Sequence, residues 1–156
     1  EPRLPYEEWI RSPLLIAHPA EIQAGRREQA FAVSVDIAPT IIETARGVVP
    51  ASVQGRSLVP VLRGRKPADW RNSFLVEYHG HENPMPWTAN LDYRMVRMGR
   101  YKYIRWIHEK DAAELYDLER DPLEQFNLVA KPEMAPVVAQ ARQELARLVL
   151  EAMGLS

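Results

Sequence analysis

Four short runs of aromatic and aliphatic residues, 74–78, 93–97, 101–106 and 114–118, are set between polar or glycine-containing stretches. This is the pattern of strands that bury one face, and it predicts four of them in succession. Met98-Gly99-Arg100 divides the second from the third and predicts a tight hairpin there. Further on, Pro132 opens a run in which Val137, Val138, Ala141, Leu145, Leu148, Val149 and Ala152 recur at three and four, ending before Gly154. The spacing predicts a helix over 132–153, about five turns long, whose apolar stripe covers one face of the sheet.

The first half of the chain is more broken. Pro13-Leu14-Leu15-Ile16-Ala17 is apolar throughout and bounded by Pro13 and Pro19, which predicts a strand buried on both faces. Ile37, Ile41 and Ala45 follow Ser34 and Asp36 at helical spacing, with Pro39 in the first turn and Gly47 as a stop, predicting a helix over 37–46 capped by Ser34 or Asp36. A second, shorter helix is expected from Leu58 to Leu62, capped by Ser57 and closed by Gly64. The charged stretch 65–72 reads as a connection. The fold expected is α+β: a partial αβ segment of a larger mixed sheet, then a four-stranded antiparallel sheet packed against a long C-terminal helix. The boundary falls between residues 1–65 and 73–156, and the sheet-plus-helix half is expected to be the stable unit.

The 156 residues suffice for one core, and 46% apolar with 26% charged residues is ordinary for a folded domain. Twenty basic residues against twenty-one acidic ones leave no field that would attract nucleic acid or an anionic membrane. The longest apolar runs fall far short of the roughly 20 residues a spanning helix needs. Residues 1–5 carry no signal-peptide pattern, which leaves a cytoplasmic or periplasmic location open. There is no cysteine, so disulfides, thiolate metal sites and a cysteine nucleophile are excluded within these residues.

Tyr6-Glu7-Glu8 with Arg11, Pro13 and Leu14 forms one short motif, and Asp36-Ile37-Ala38-Pro39-Thr40 another. They resemble, in order, the Tyr-Glu-Glu-x-x-Arg-x-Pro-Leu segment and the Asp-x-x-Pro-Thr helix start in the carboxyl-terminal portion of one family, the formylglycine-dependent arylsulfatases of the alkaline-phosphatase superfamily. Gly55-Arg56-Ser57-Leu58 with Leu62-Arg63-Gly64 is similar to its Gly-x-Ser-Leu element, followed by Trp70-Arg71. Arg97, Gly99 and Tyr101-Lys102-Tyr103 resemble its Tyr-Lys hairpin, and Glu114-Leu115-Tyr116-Asp117-Leu118 with Asp121-Pro122, Glu124 and Asn127-Leu128 its closing strand and turn. Residue chemistry alone accounts for many of these positions. Asp36, Pro39 and Thr40 start a helix, Tyr101 and Tyr103 alternate in a strand, and Asp117, Asp121 and Asn127 form turns.

The resemblance implies a sulfuric ester hydrolase whose nucleophile and metal ligands lie on polypeptide ahead of Tyr6. No Cys/Ser-x-Pro-x-Arg sequence occurs here, and Pro2 stands where the family has a sulfate-binding lysine. The expectation is therefore a carboxyl-terminal portion, inactive alone, with no catalytic residue, metal ligand or cofactor of its own. Calcium or another divalent cation is expected in the full-length parent. Its expected partners are the missing amino-terminal catalytic portion and a sulfate ester. The isolated chain is expected to self-associate through its exposed apolar edge. The same resemblance covers phosphonate monoester and phosphodiester hydrolases of the superfamily. A non-catalytic interaction module that kept the fold is the reading from another class.

One stretch stands apart as candidate chemistry. Residues 79–92 form a long connection without periodicity, rich in proline, asparagine and histidine. Its polar part, His79, His81, Glu82 and Asn83, is the candidate substrate-facing segment implied by the resemblance. The pair of histidines beside a carboxylate has the donor types of a metal site, although His-x-His is more often a solvated loop. His18, Trp87, Trp106 and His108 read as structural or exposed residues.

Overall fold

The computed structural model describes residues 4–80, 91–109 and 112–155. The chain divides into two compact units, Leu14–Asn72 and a discontinuous one made of Glu1–Pro13 with Ser73–Ser156.

The discontinuous unit is built on four antiparallel strands in sequential order: β1 (Ser73–Tyr78), β2 (Tyr93–Met98), β3 (Tyr101–Trp106) and β4 (Ala113–Asp117). Each predicted strand is present. Their pairing sets Leu75 opposite Val96, Val96 opposite Tyr103, and Tyr103 opposite Leu115, so one row of apolar side chains crosses the whole sheet. One residue along, a second row of Val76, Met95, Ile104 and Glu114 points to the other face.

The first face is covered by the long helix Ala135–Ala152, which follows a 3-10 turn at Pro132–Met134. Its Val138, Ala141 and Leu145 are buried against Val96, Tyr103 and Leu115. Each large side chain in this layer contributes about 1.5–3 kcal/mol by leaving water. The helix ends where the sequence places its stop. Gly154 takes φ 71°, and the N–H groups of Gly154 and Leu155 turn back to the carbonyls of Glu151 and Leu150, a Schellman closure. Ser73 of β1 donates its hydroxyl to Glu144, which is also gripped by Arg147 at 2.8 and 2.9 Å.

Those contacts, with the Arg147 bond first, hold the Glu144 carboxyl down at about 2 despite partial burial. Its contribution is thus present above the ordinary carboxylate value of 4.5 and is lost as pH falls toward 2. Since its main partner Arg147 is 57% exposed, the effect is expected to stay below about 1 kcal/mol. Thermal unfolding of Glu144→Gln should lag wild type at pH 7 and converge with it near pH 2.5. A constant gap over that range would assign the effect to something other than ionisation.

The opposite face buries Tyr93, Met95, Ile104 and Tyr116, and here the cover is the short segment Tyr6–Ile10 with the one-turn helix Glu7–Ile10. Sequence reading did not anticipate that turn. Four residues are too few to carry a helical period, and the turn is held by packing.

In the other unit, helix Ile37–Thr44 is led in by a 3-10 turn at Ser34–Asp36, and a shorter helix spans Val59–Leu62. Both were predicted, but the expected side-chain cap of the first helix is absent: Ser34 and Asp36 form the 3-10 turn, and Asp36, at the N-cap position, makes no side-chain cap hydrogen bond. Its other end differs as well. Arg46, not Gly47, takes the left-handed position at φ 60°, and the N–H groups of Arg46 and Gly47 bond to Glu43 and Ile42. Leu58, Val61 and Trp70 form the small core.

The buried strand expected at 13–17 is overturned. This run forms no strand, and Leu14, Leu15 and Ile16 are 50, 90 and 37% exposed. A strand needs a neighbour for its main-chain N–H and C=O groups. Among the described residues the sheet is that of β1 to β4, and this run is not in it. A continuous apolar run fits a central strand only where a sheet flanks it.

Candidate functional site

Two places in the discontinuous unit gather polar chemistry. The first is the end of the sheet where β1 leads out and β2 leads in. Tyr78 and Tyr93, opposite each other in the register, stack with centroids 5.7 Å apart, and Tyr93 meets Trp106 edge-on at the same distance. These three rings close the buried face at that end.

Beside them, Asp92 ties the two flanks of the 79–92 connection. One carboxylate oxygen accepts the N–H of Gly80 at 2.7 Å, and the other lies 2.9 Å from Nε2 of His108. The Gly80 N–H, then His108, keep the Asp92 carboxyl below its usual range. His79 is exposed, and its Nε2 lies 3.9 Å from Glu77 Oε1, which also accepts Arg94 Nε at 2.7 Å. His81, Glu82 and Asn83 lie outside the described residues, as does Trp87. His79 is thus placed at the mouth of the connection, where its ring can donate to or accept from a polar ligand. Asp92 and His108 were not picked out in sequence as a pair. They are 16 residues apart, and only the hairpin geometry brings them together.

The second place is the sheet face under Tyr6–Ile10. Lys102 is fully buried, and its ammonium lies 2.8 Å from a carboxylate oxygen of Glu7, 2.8 Å from one of Glu124 and 2.9 Å from the carbonyl of Pro5. Glu124 also accepts the main-chain N–H of Glu7 at 2.6 Å. Glu114 accepts from Tyr116 at 2.7 Å, Trp106 at 2.7 Å and Tyr6 at 3.3 Å. Burial, then the Glu114 charge, pushes the Tyr6 hydroxyl up to about 12, and burial with the Glu114 hydrogen bond raises Tyr116 as well. Arg97, half buried in the same row, is lowered by burial against the opposing pull of Glu7 and Glu124. Both phenols therefore stay neutral at ordinary pH and act as hydrogen-bond donors.

In the other unit, Asp36 stands at the N-cap position of helix Ile37–Thr44, yet its carboxylate makes no cap bond to that helix and turns elsewhere. Its carboxylate accepts the Val33 N–H at 2.9 Å, accepts the Arg56 N–H at 2.9 Å, and pairs with both terminal nitrogens of Arg71. The guanidinium groups of Arg56 and Arg71 lie over Trp70 at 5.0 and 5.2 Å. Asp121 and Asn127 behave as the turn formers expected. Asp121 accepts from the N–H groups of Gln125 and Phe126, and Asn127 from those of Leu115 and Val129. His18 and a cavity of about 10 Å³ beside it offer no room beyond a single water.

Among the described residues no group of three or more His, Asp or Glu is placed to hold a metal. No described helix is long and apolar enough to cross a membrane. What the described residues provide is a sheet end floored by aromatic rings, and a buried charged clasp on the sheet face under Tyr6–Ile10.

The chain matches the family model for the C-terminal region of N-sulphoglucosamine sulphohydrolase over residues 1–151. It is 38% identical over 151 residues to the N-acetylglucosamine-6-O-sulfatase of Bacteroides thetaiotaomicron, covering 96% of this chain and 26% of that protein. It is 31% identical over 146 residues to the multifunctional alkaline phosphatase superfamily protein PehA of Trinickia caryophylli, covering 88% of this chain and 28% of that one. The solved structure of BT4656 with its substrate D-glucosamine-2-N,6-O-disulfate superposes at a TM-score of 0.83 with 35% identity, over 91% of this chain and 28% of that one. The phosphonate monoester hydrolase of Agrobacterium radiobacter superposes at 0.63 with 26% identity, over 74% and 24%. The chain thus spans about a quarter of the length of the proteins it matches.

Proposed function

Since the chain belongs to the sulfatase C-terminal family typified by N-sulphoglucosamine sulphohydrolase, within the alkaline-phosphatase superfamily, we propose that it serves a sulfuric ester hydrolase acting on a sulfated amino sugar. The observation that carries this reading is the 38% identity to an N-acetylglucosamine-6-O-sulfatase across 96% of the chain. Residues 1–65 are then the end of the catalytic αβ domain, and 73–156 the carboxyl-terminal subdomain. The nucleophile and a divalent cation such as calcium are supplied by the rest of that protein. This chain contributes the scaffold and, through His79, His81, Glu82 and Asn83, a segment that faces the sugar.

The polar ends of such a segment suit a sulfated sugar, whose hydroxyls and sulfate oxygens take hydrogen bonds from imidazole and amide groups. Support for placing it there comes from Asp92, which ties Gly80 at one end of the connection to the other end and is itself held by His108 of the β3–β4 connection. The test compares this chain with a longer protein that carries it, each with calcium. The longer protein should release sulfate from N-acetylglucosamine-6-sulfate, and the chain alone should release none. Turnover by the chain alone would overturn the scaffold role. The likeness to PehA and to the phosphonate monoester hydrolase favours a second reading, which hydrolysis of a phosphonate monoester without sulfate release would select.

The isolated chain is proposed to self-associate. Leu14, Leu15 and Ile16 form an exposed apolar run, and apolar patches of this kind mark association surfaces. Light scattering after size exclusion should give a mass that rises above 17.9 kDa with concentration. A constant monomer mass would dismiss this proposal.

A further inference from the structure

The segment Tyr6–Ile10 is separated from the sheet it covers by the whole Leu14–Asn72 unit, yet it meets the sheet through contacts that read a peptide at several points. We infer that the sheet face opposite the long helix is a docking groove for Tyr6–Ile10, closed by a latch of Lys102 and Glu124 that holds this strap even when chain connectivity is cut.

Two of the contacts are to the strap's main chain: Lys102 Nζ reaches the Pro5 carbonyl at 2.9 Å, and Glu124 accepts the Glu7 N–H at 2.6 Å. Others are to its side chains. Glu7 pairs with Lys102 at 2.8 Å, Tyr6 packs edge-on against Tyr116 with centroids 6.3 Å apart, and Ile10 enters the apolar cluster of Tyr93, Met95, Ile104 and Tyr116. An ordinary structural ion pair joins two side chains. Here a main-chain acceptor and a main-chain donor are both recognised, which fixes the strap's register on the sheet as well as its charge.

Backbone geometry at Glu124 points the same way. Its φ is 55°, a left-handed conformation disfavoured for a residue with a Cβ, and its side chain is only 3% exposed. The strained conformation persists because it delivers the carboxylate to Lys102 and the Glu7 N–H together. With the strap gone, Lys102 would lose two of its three partners in a buried site, and that loss drives the groove to stay filled. The occupant it fits presents an aromatic and an acidic side chain in succession and an aliphatic one three residues on, as Tyr6, Glu7 and Ile10 do, while Glu8 and Trp9 face solvent. The inference stands on this unit alone and does not depend on the reaction proposed above.

A specific protease site placed across the exposed Leu14–Ile16 run tests it in the full chain. After cleavage, residues 1–13 are held by non-covalent contacts alone. They should co-elute with the rest of wild type through size exclusion, and their release should accelerate about a hundredfold in Lys102→Met, the scale set by breaking a buried ion pair. Glu7→Gln leaves every sheet residue intact and covers the case in which Lys102→Met does not fold. It should release the strap faster by about tenfold, the scale of a charged hydrogen bond made neutral. Prompt loss of residues 1–13 from cleaved wild type, or equal release rates in wild type and Glu7→Gln, would overturn the latch.

Discussion

Replacing Asp36 by alanine should cost the Leu14–Asn72 unit about 3–5 kcal/mol, the range for breaking a buried ion pair by removing one partner. The carboxylate is fully buried and serves four donors: the Val33 and Arg56 N–H groups and both terminal nitrogens of Arg71. Alanine leaves the Arg71 guanidinium, 15% exposed, without its counter-charge. It also strands two main-chain donors. For a unit of about 60 residues the whole stability is roughly 3–9 kcal/mol, so most of it is lost. Urea unfolding followed by the Trp70 signal reads the change. Asp36→Asn, which keeps an acceptor of the same shape, should fall between the two. A loss below about 1 kcal/mol in Asp36→Ala would mean the clasp is dispensable.

Gly55→Ala should be nearly as damaging, through contact rather than charge. A Cβ at residue 55 would stand 1.9 Å from the Val35 carbonyl oxygen, 2.5 Å from its carbon and 2.9 Å from the Asp36 nitrogen. All three are backbone atoms, so no rotamer change relieves the clash. The chain at 55–56 must withdraw, and the Arg56 N–H then leaves Asp36. The expected loss is about 3 kcal/mol or more, the upper end for overpacking. Gly25→Ala is the control. Nothing lies within 4 Å of a Cβ there, and only its φ of +76° resists the change, at about 1–2 kcal/mol. Equal effects in the two variants, measured by denaturant midpoint, would refute the close approach as the cause.

The strands and the long helix were legible because each is set by a local period. Tyr93 to Trp106 shows alternation around a glycine, and Val138, Ala141 and Leu145 lie on one helical stripe. Asp36 was legible only in part. Its place at the start of a helix is a local pattern, whereas its bond to Arg71 spans 35 residues and leaves no local trace. The same limit hid Lys102, read as one letter of a hairpin motif, whose partners Glu7 and Glu124 are 95 and 22 positions away. The run 13–17 misled because burial is a property of neighbours, and an apolar stretch alone does not say whether a sheet adjoins it. Of the candidate site, His79 could be placed, while the Asp92–His108 tie depended on a hairpin register that composition does not encode.

The strap's position in the chain also orders events during synthesis. Glu7 and its acceptor Glu124 are 117 residues apart, an interval of about 6–23 s at ordinary elongation rates. For that time the first dozen residues have emerged and have no groove to enter. The clasp under the sheet can close only after β4 and the following turn have left the ribosome. A nascent chain stalled before Glu124 should therefore leave Tyr6 to Ile10 open to chaperones, and one stalled well beyond it should hide them.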